Sequence, residues 1–122
     1  MKCRDKEAQK SWYESHLGIP NTPYGHSFLW REEQNTNEVG YTAWSPFPDD
    51  TKYFAPSDSP MMINYRVDDL VALLVALKEE GVTVVDEMVS EENGKFAWIL
   101  DPEGNKIELW EPVPSAEDPY LP

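Results

Sequence analysis

The stretch KFAWILDPEGNKIELWE, Lys95 to Glu111, decides the fold of this 122-residue chain. It divides into Phe96 to Leu100, an acidic turn Asp101-Pro102-Glu103-Gly104-Asn105, and Lys106 to Trp110. Proline presets φ at one turn position and glycine permits the positive φ that another needs, so a strand-turn-strand hairpin is expected. With Leu100 facing Lys106, alternation puts Phe96, Trp98, Leu100, Lys106, Glu108 and Trp110 on one face and Ala97, Ile99, Ile107 and Leu109 on the other. The second is a packing face. The first sets a carboxylate among tryptophans, a combination that a core avoids because an unpartnered buried charge is costly, and that more often lines a cleft.

Working back from the hairpin, Asp86 to Gly94 reads as an acidic loop or ragged strand and Val82 to Val85 as a short β-branched strand. The clearest helix precedes them: Asp68 or Asp69 caps it, Leu70, Leu73, Leu74 and Leu77 form its stripe, Lys78 suits its last turn and Gly81 ends it. Met62 to Val67 is a strand in which Ile63, Tyr65 and Val67 alternate with Met62, Asn64 and Arg66. Pro48 to Pro60 is a proline- and aspartate-rich joint. Before it, Ser27 to Arg31 and Tyr41 to Phe47 read as strands, with Pro46 marking an end or an edge. Asp5 to His16 reads as a helix capped by Asp5 and stopped by Gly18, so a strand ahead of it is expected to be short or to have lost its beginning. Downstream of the hairpin, PVPSAEDPYLP is a proline-rich tail.

The two halves superimpose. An offset of 63 residues takes Gly18 to Gly81, Asp5 to Asp68, Ala8 to Val71, Trp12 to Val75 and Ile19 to Val82. Cap, packing positions and stop coincide together, which indicates an internal duplication. The expected organisation is a single domain over 1–122, with module 1 at about 1–48, a linker at 49–60, module 2 at about 61–112 and a tail at 113–122.

Charge narrows the partners. Ten basic against 23 acidic residues give a formal charge of −13, which repels a phosphate backbone and an anionic membrane alike, so neither nucleic acid nor membrane is expected. One cysteine, Cys3, rules out an internal disulfide. With no long apolar run and no cleavable signal pattern, a cytoplasmic protein is expected.

A duplicated βαβββ unit ending in FAWILDPEGNKIELWEP (96–112), with MINYRVDDLVALLVALKEEGV (62–82) and WYESHLGIP (12–20), resembles the glyoxalase/bleomycin-resistance/dioxygenase superfamily, also called the vicinal oxygen chelate fold. The resemblance implies an α+β fold in which two βαβββ modules form a curved mixed sheet around a concave cleft, with helices outside. It also implies homodimers in many members. Metal-dependent members place His or Gln on the first strand of a half and Glu on the last. Here Glu108 matches the Glu position, whereas Met62 stands at the His position and is a poor ligand for a hard divalent ion. The first-half counterpart of Met62 does not exist in this chain, and that of Glu108 falls near Trp44. One ligand position of four is matched, so no metal cofactor is expected, although a divalent metal stays open as the alternative.

Other chemistry finds little support. His16, in the last turn of a helix, suits the dipole, and His26 reads as a loop residue before a strand. No nucleophile-histidine order and no phosphate-cradling glycine loop is present. The aromatic residues carry more. Phe28, Trp30, Trp44, Met62, Asn64, Phe96, Trp98 and Trp110 are the candidate ligand-binding set, with Glu108 the candidate catalytic residue. Tryptophans filling a core is the competing reading, equally open for Phe28, Phe96 and Trp110. For Trp30, Trp44 and Trp98 the carboxylate on the face favours a cleft. Three functions follow: a module binding a flat or cationic small molecule, a metal-dependent lyase or dioxygenase drawing on Glu108 with Asn64 or His26, and a metal-independent enzyme with Glu108 as base.

Overall fold

Aspartate and glycine punctuate both helices. In the computed structural model, which describes residues 1–121, Asp5 accepts the Ala8 N–H at 2.9 Å to start α1 (Lys6–Leu17), and Gly18 ends it at φ 68°. Asp69 accepts the Ala72 N–H at 3.0 Å to start α2 (Leu70–Glu79), and Gly81 follows at φ 83°. The glycines obey the 63-residue offset while the second cap comes one residue late, at Asp69.

Around these helices the strands are β1 (Lys2–Cys3), β2 (His26–Arg31), β3 (Val39–Trp44), β4 (Phe47–Pro48), β5 (Ile63–Arg66), β6 (Val84–Glu91), β7 (Gly94–Leu100) and β8 (Lys106–Pro112), followed by a 3₁₀ turn at Ser115–Glu117. The order βαβββ thus occurs twice and the class is α+β. The chain divides into two compact units, Met1–Tyr53 and Phe54–Pro122.

The second unit holds a four-stranded sheet in the order β5-β8-β7-β6, with β5 parallel to β8 and the other pairs antiparallel. The hairpin register is the one expected: Leu100 opposes Lys106, Trp98 opposes Glu108 and Phe96 opposes Trp110. Asp101 builds the turn, its carboxylate accepting the Glu103 N–H (3.0 Å), the Asn105 N–H (2.9 Å) and the Asn105 side-chain amide (2.9 Å). The packing face also falls where alternation put it. Ala97 and Leu109 bury against Leu70 and Leu74 of α2, with Val67, Leu73, Leu77, Val84, Ile99 and Ile107 around them. Glu111 of β8 joins sheet to helix by accepting the Leu70 N–H at 3.0 Å, which meets one orphan donor at the start of α2.

Two expectations need correction. The strand expected at Val82 to Val85 runs instead from Val84 to Glu91, and the acidic segment is its continuation. Its pairing with β7 is interrupted between Val85 and Val89 by a bulge where Asp86 adopts φ 61°, and it resumes to Glu91 opposite Gly94. Of the two readings left open for the acidic segment, loop or ragged strand, the strand holds up to Glu91, and the bulge that makes it ragged breaks the alternation on which a period-2 reading depends. In the first unit, the strand expected over Tyr41 to Phe47 ends at Trp44, and Phe47–Pro48 pairs separately, in parallel, with β1. β2 and β3 form their own antiparallel pair, so this unit has two ladders rather than one sheet. Ser45 and Pro46 separate β3 from β4, and Pro46 lacks an N–H to give to a continued ladder. The pairing of Lys2 with Phe47 also moves the first-unit counterpart of Glu108 from Trp44 to the Ser45–Pro46 step. The proline-rich tail is tied at its start, where the Val113 N–H donates to the Asn93 carbonyl at 3.3 Å.

Two outcomes are expected from this packing. Leu74→Ala removes a buried side chain between α2 and the sheet and should cost about 2–5 kcal/mol in urea unfolding, against under about 0.5 kcal/mol for a change at exposed Glu79. The amide donors around Asp101, its own neighbour Asn105 foremost, hold its carboxyl below the ordinary value of 3.8. Its stabilising share is therefore full above that value and is lost as pH falls through the lowered one. The stability gap between the wild type and Asp101→Ala should be constant near neutrality and narrow only in that acid window.

Candidate functional site

Glu108 lies on the sheet face opposite α2 and is only 8% exposed. Both its oxygens are occupied: Oε1 accepts the Asn64 side-chain amide at 2.6 Å and Oε2 accepts the Trp98 indole N–H at 2.8 Å. The sheet register brings the three together, since Glu108 stands opposite Asn64 on β5 and opposite Trp98 on β7. A buried carboxylate is tolerable on these terms because each oxygen meets a fixed N–H donor.

The surrounding residues combine aromatic planes with cations. Lys106, only 5% exposed, sets its Nζ 5.4 Å from the centre of the Trp98 ring and 3.2 Å from Oδ2 of Asp86 at the β6 bulge. Arg66 places its guanidinium 5.8 Å from the Trp110 ring. Phe96 and Trp110 lie near parallel, with centroids 5.9 Å apart and planes 6° apart. The Trp110 indole N–H donates to the Asn93 carbonyl at 3.0 Å in the β6–β7 turn. Gly94, at φ 137°, makes room for that ring: a Cβ there would stand 2.7 Å from the Trp110 Nε1.

Of the residues expected from the sequence, Asn64, Phe96, Trp98, Glu108 and Trp110 come together on this face of the second unit. Met62 stands one residue ahead of β5 and is partly buried. Phe28, Trp30 and Trp44 belong to the first unit. There the β2–β3 register puts Phe28 opposite Thr42, Trp30 opposite Gly40 and His26 opposite Trp44, so the aromatics share a face. Trp44 contacts Tyr13 of α1, ring centres 4.5 Å apart, and Phe28 meets His26 edge-on at 4.7 Å. His26 is the first residue of β2 and not a loop residue. His16 lies in the last turn of α1 as expected, beside Trp12 at 4.9 Å. Arg66 and Lys106 were missing from the expected site. The signal was available, since Arg66 alternates in step with Asn64 and Lys106 with Glu108.

The donor set does not fit a divalent ion. Such an ion needs several lone pairs converging on one point, and Glu108 instead meets two N–H groups aimed at its own lone pairs. Among the described residues no group of three or more His, Cys, Asp or Glu side chains could hold a metal.

A family model described as the glyoxalase/bleomycin resistance protein/dioxygenase superfamily matches residues 3–109. The chain belongs to that superfamily. Among solved structures, methylmalonyl-CoA epimerase from Mycobacterium tuberculosis is 24% identical at a TM-score of 0.54, with 94% of this chain and 85% of that one covered. A superfamily member from Vibrio splendidus 12B01 is 16% identical at a TM-score of 0.53, with 93% and 94% covered. A protein described as NAD-dependent benzaldehyde dehydrogenase from Legionella pneumophila is 8% identical at a TM-score of 0.56, with 92% and 95% covered. At these identities the likeness is one of fold. Among curated proteins none matches the chain significantly. Superfamily members often bind divalent metals, whereas Glu108 here accepts an amide and an indole N–H. Among the described residues no helix is long and apolar enough to cross a membrane.

Trp98→Phe keeps the ring and removes the N–H, leaving Oε2 of a buried carboxylate without this donor. It should destabilise the chain by about 1–3 kcal/mol in urea unfolding. In the Glu108→Gln background the same change should cost clearly less, because no charge then depends on the indole, and a double-mutant cycle reads the difference.

Proposed function

We propose that this chain is a small-molecule-binding member of the superfamily, and that the ligand lies on the aromatic face made by β5, β8 and β7. The observation that carries this reading is the Glu108 carboxylate held by Asn64 and Trp98: a polar group kept inside an aromatic surface and fixed there by neutral donors, with both oxygens engaged. Such a group adds nothing to packing that an apolar residue would not do better, and it orients the indole beside it. Phe96 and Trp110 stack on one another and, with Trp98, make the face aromatic; a flat molecule meeting such rings gains about 1 kcal/mol per well-placed ring beyond the area buried. Small-molecule sites have this make-up, predominantly apolar and aromatic with few fixed polar groups.

Glu108 then serves as a positioning group. The reading in which it acts as a base would require it to exchange the Trp98 or Asn64 hydrogen bond for a substrate proton. The metal-dependent reading would require it to give up the same bonds to an ion. A homodimer in the cytoplasm is the setting proposed for the chain.

Tryptophan fluorescence titration with a panel of flat aromatic compounds and thiol conjugates, before and after treatment with a chelator, tests the proposal. Saturable quenching is expected for at least one compound, unchanged by chelation and weakened about tenfold in Trp98→Ala. Quenching absent across the panel, or lost on chelation together with a stoichiometric metal, would contradict it.

A further inference from the structure

The four-stranded sheet of the second unit has two edges, and they are built differently. β6 forms one of them and is guarded: a bulge at Asp86 breaks its ladder, and Asp86, Glu87 and Glu91 set carboxylates along it. Bulges and charges of this kind keep a further strand from adding to a sheet. β5 forms the other edge and has neither guard. Its register with β8 is unbroken, it contains no proline, and from Ser59 to Val67 the one charged residue is Arg66, in a chain whose formal charge is −13.

The main chain of β5 decides what this edge accepts. Val67 donates its N–H to the Trp110 carbonyl of β8 at 2.9 Å. In a parallel ladder alternate residues turn both backbone groups toward the same neighbour, so Ile63 and Tyr65 face β8 in step with Val67, and Asn64 turns its N–H and C=O to the open side. Such an edge is met by another strand, whose backbone supplies the matching donors and acceptors. The side chains agree. Ile63 and Tyr65, opposite Ile107 and Leu109 on the α2 side of the sheet, are 56% and 52% exposed, apolar area that a strand laid alongside would cover.

We infer that the strand which fits this edge is β5 of a second copy, running antiparallel about a two-fold axis through Asn64. The strand is its own complement in that register: the two copies exchange the Asn64 N–H and C=O, and Ile63 of each stands across from the partner subunit's Tyr65. Charge favours a second copy here, because two chains this acidic repel one another and the segment from Ser59 to Val67 brings no carboxylate to the contact. The two sheets of four strands become one of eight, and the guarded β6 strands end it on both sides, so pairing closes at two chains. An axis perpendicular to the sheet keeps each face on its own side. The Glu108 faces of the two copies therefore adjoin, with the partner subunit's Asn64 at their seam. This inference rests on the homodimer proposed above, whose interface it names, and is independent of what the face binds.

Sedimentation of the full chain over a wide concentration range tests it, with disulfide trapping as a second measurement. The wild type should reach the mass of two chains and stop there. Ile63→Lys and Tyr65→Lys, each at an exposed position of β5, should weaken association about tenfold or more, whereas Met88→Lys on the β6 edge should change it by less than about twofold. For trapping, Ile63→Cys and Tyr65→Cys are made separately in a Cys3→Ser background. Oxidised together they should give mainly the mixed linked dimer and singly far less, because directly opposed residues of a non-hydrogen-bonded antiparallel pair stand about 4.5 Å apart at Cα, within disulfide reach, and diagonal ones do not. Trapping does not depend on the lysine variants folding. A chain that stays monomeric throughout would overturn both the inference and the homodimer while leaving the binding reading in place. A dimer that both lysine variants leave intact, or that yields no mixed disulfide, would overturn this interface alone. Growth beyond two chains would overturn the closed pairing.

Discussion

The carboxylate of Glu108, fixed between an indole N–H and an amide, is the constraint on which the second unit turns. A charge this deeply placed needs donors on its oxygens. The sheet supplies them from opposite sides: Trp98 from the antiparallel neighbour β7 and Asn64 from the parallel neighbour β5. A one-residue slip of either ladder would carry its donor to the face of α2 and away from the carboxylate. The interaction thus specifies register as much as it contributes stability. It also explains why the least ordinary residue on the face is compatible with a well-packed sheet.

The two faces of that sheet have divided their tasks. One packs Ala97 and Leu109 onto the leucines of α2 and stabilises the unit in the usual way, by removing apolar area from water. The other carries Glu108, Lys106 and Arg66 among three aromatic rings, where a purely structural sheet would carry aliphatic residues. Gly94 and the Asn93 carbonyl are fitted to the Trp110 indole, so its orientation is built in rather than left to chance. Superfamily membership says how such a sheet is assembled and leaves the chemistry on it open, since one fold hosts many reactions and many ligands. What can be read here is local: two N–H donors are aimed at the lone pairs of the glutamate.

Much of this was legible in sequence, and the physical reasons differ by element. The β7–β8 hairpin could be read to the residue because Asp101, Pro102 and Gly104 define a turn and the alternation on either side is unbroken. Both helices could be read because aspartate caps and stop glycines act within a few residues of one another. Alternation placed Trp98 and Glu108 on one face but could not show that they bond, and the Asn64 partner depends on a parallel pairing across 44 residues that no local pattern encodes. The bulge at Asp86 escaped notice because a left-handed aspartate in an acidic run looks like any loop residue. With it went the pairing of Lys106 with Asp86, and the sequence-based site left out the two cations that stand near its indoles. In the first unit, Pro46 signalled a strand end correctly, while the separate pairing of Phe47–Pro48 with Lys2–Cys3 rests on two residues per strand, too few for any periodicity.

Hydrogen exchange of the indole N–H groups reports most directly on whether Glu108 is held by the indole or reserved for an ion. In protein labelled with ¹⁵N at its five tryptophans, the Trp98 resonance can be followed in D₂O and again with Mn²⁺ at one equivalent. The expected result is a slowly exchanging Trp98 indole proton whose signal Mn²⁺ leaves sharp. A proton that exchanges as fast as that of exposed Trp12, or a signal broadened away by stoichiometric Mn²⁺, would show that the carboxylate is not engaged in the way described.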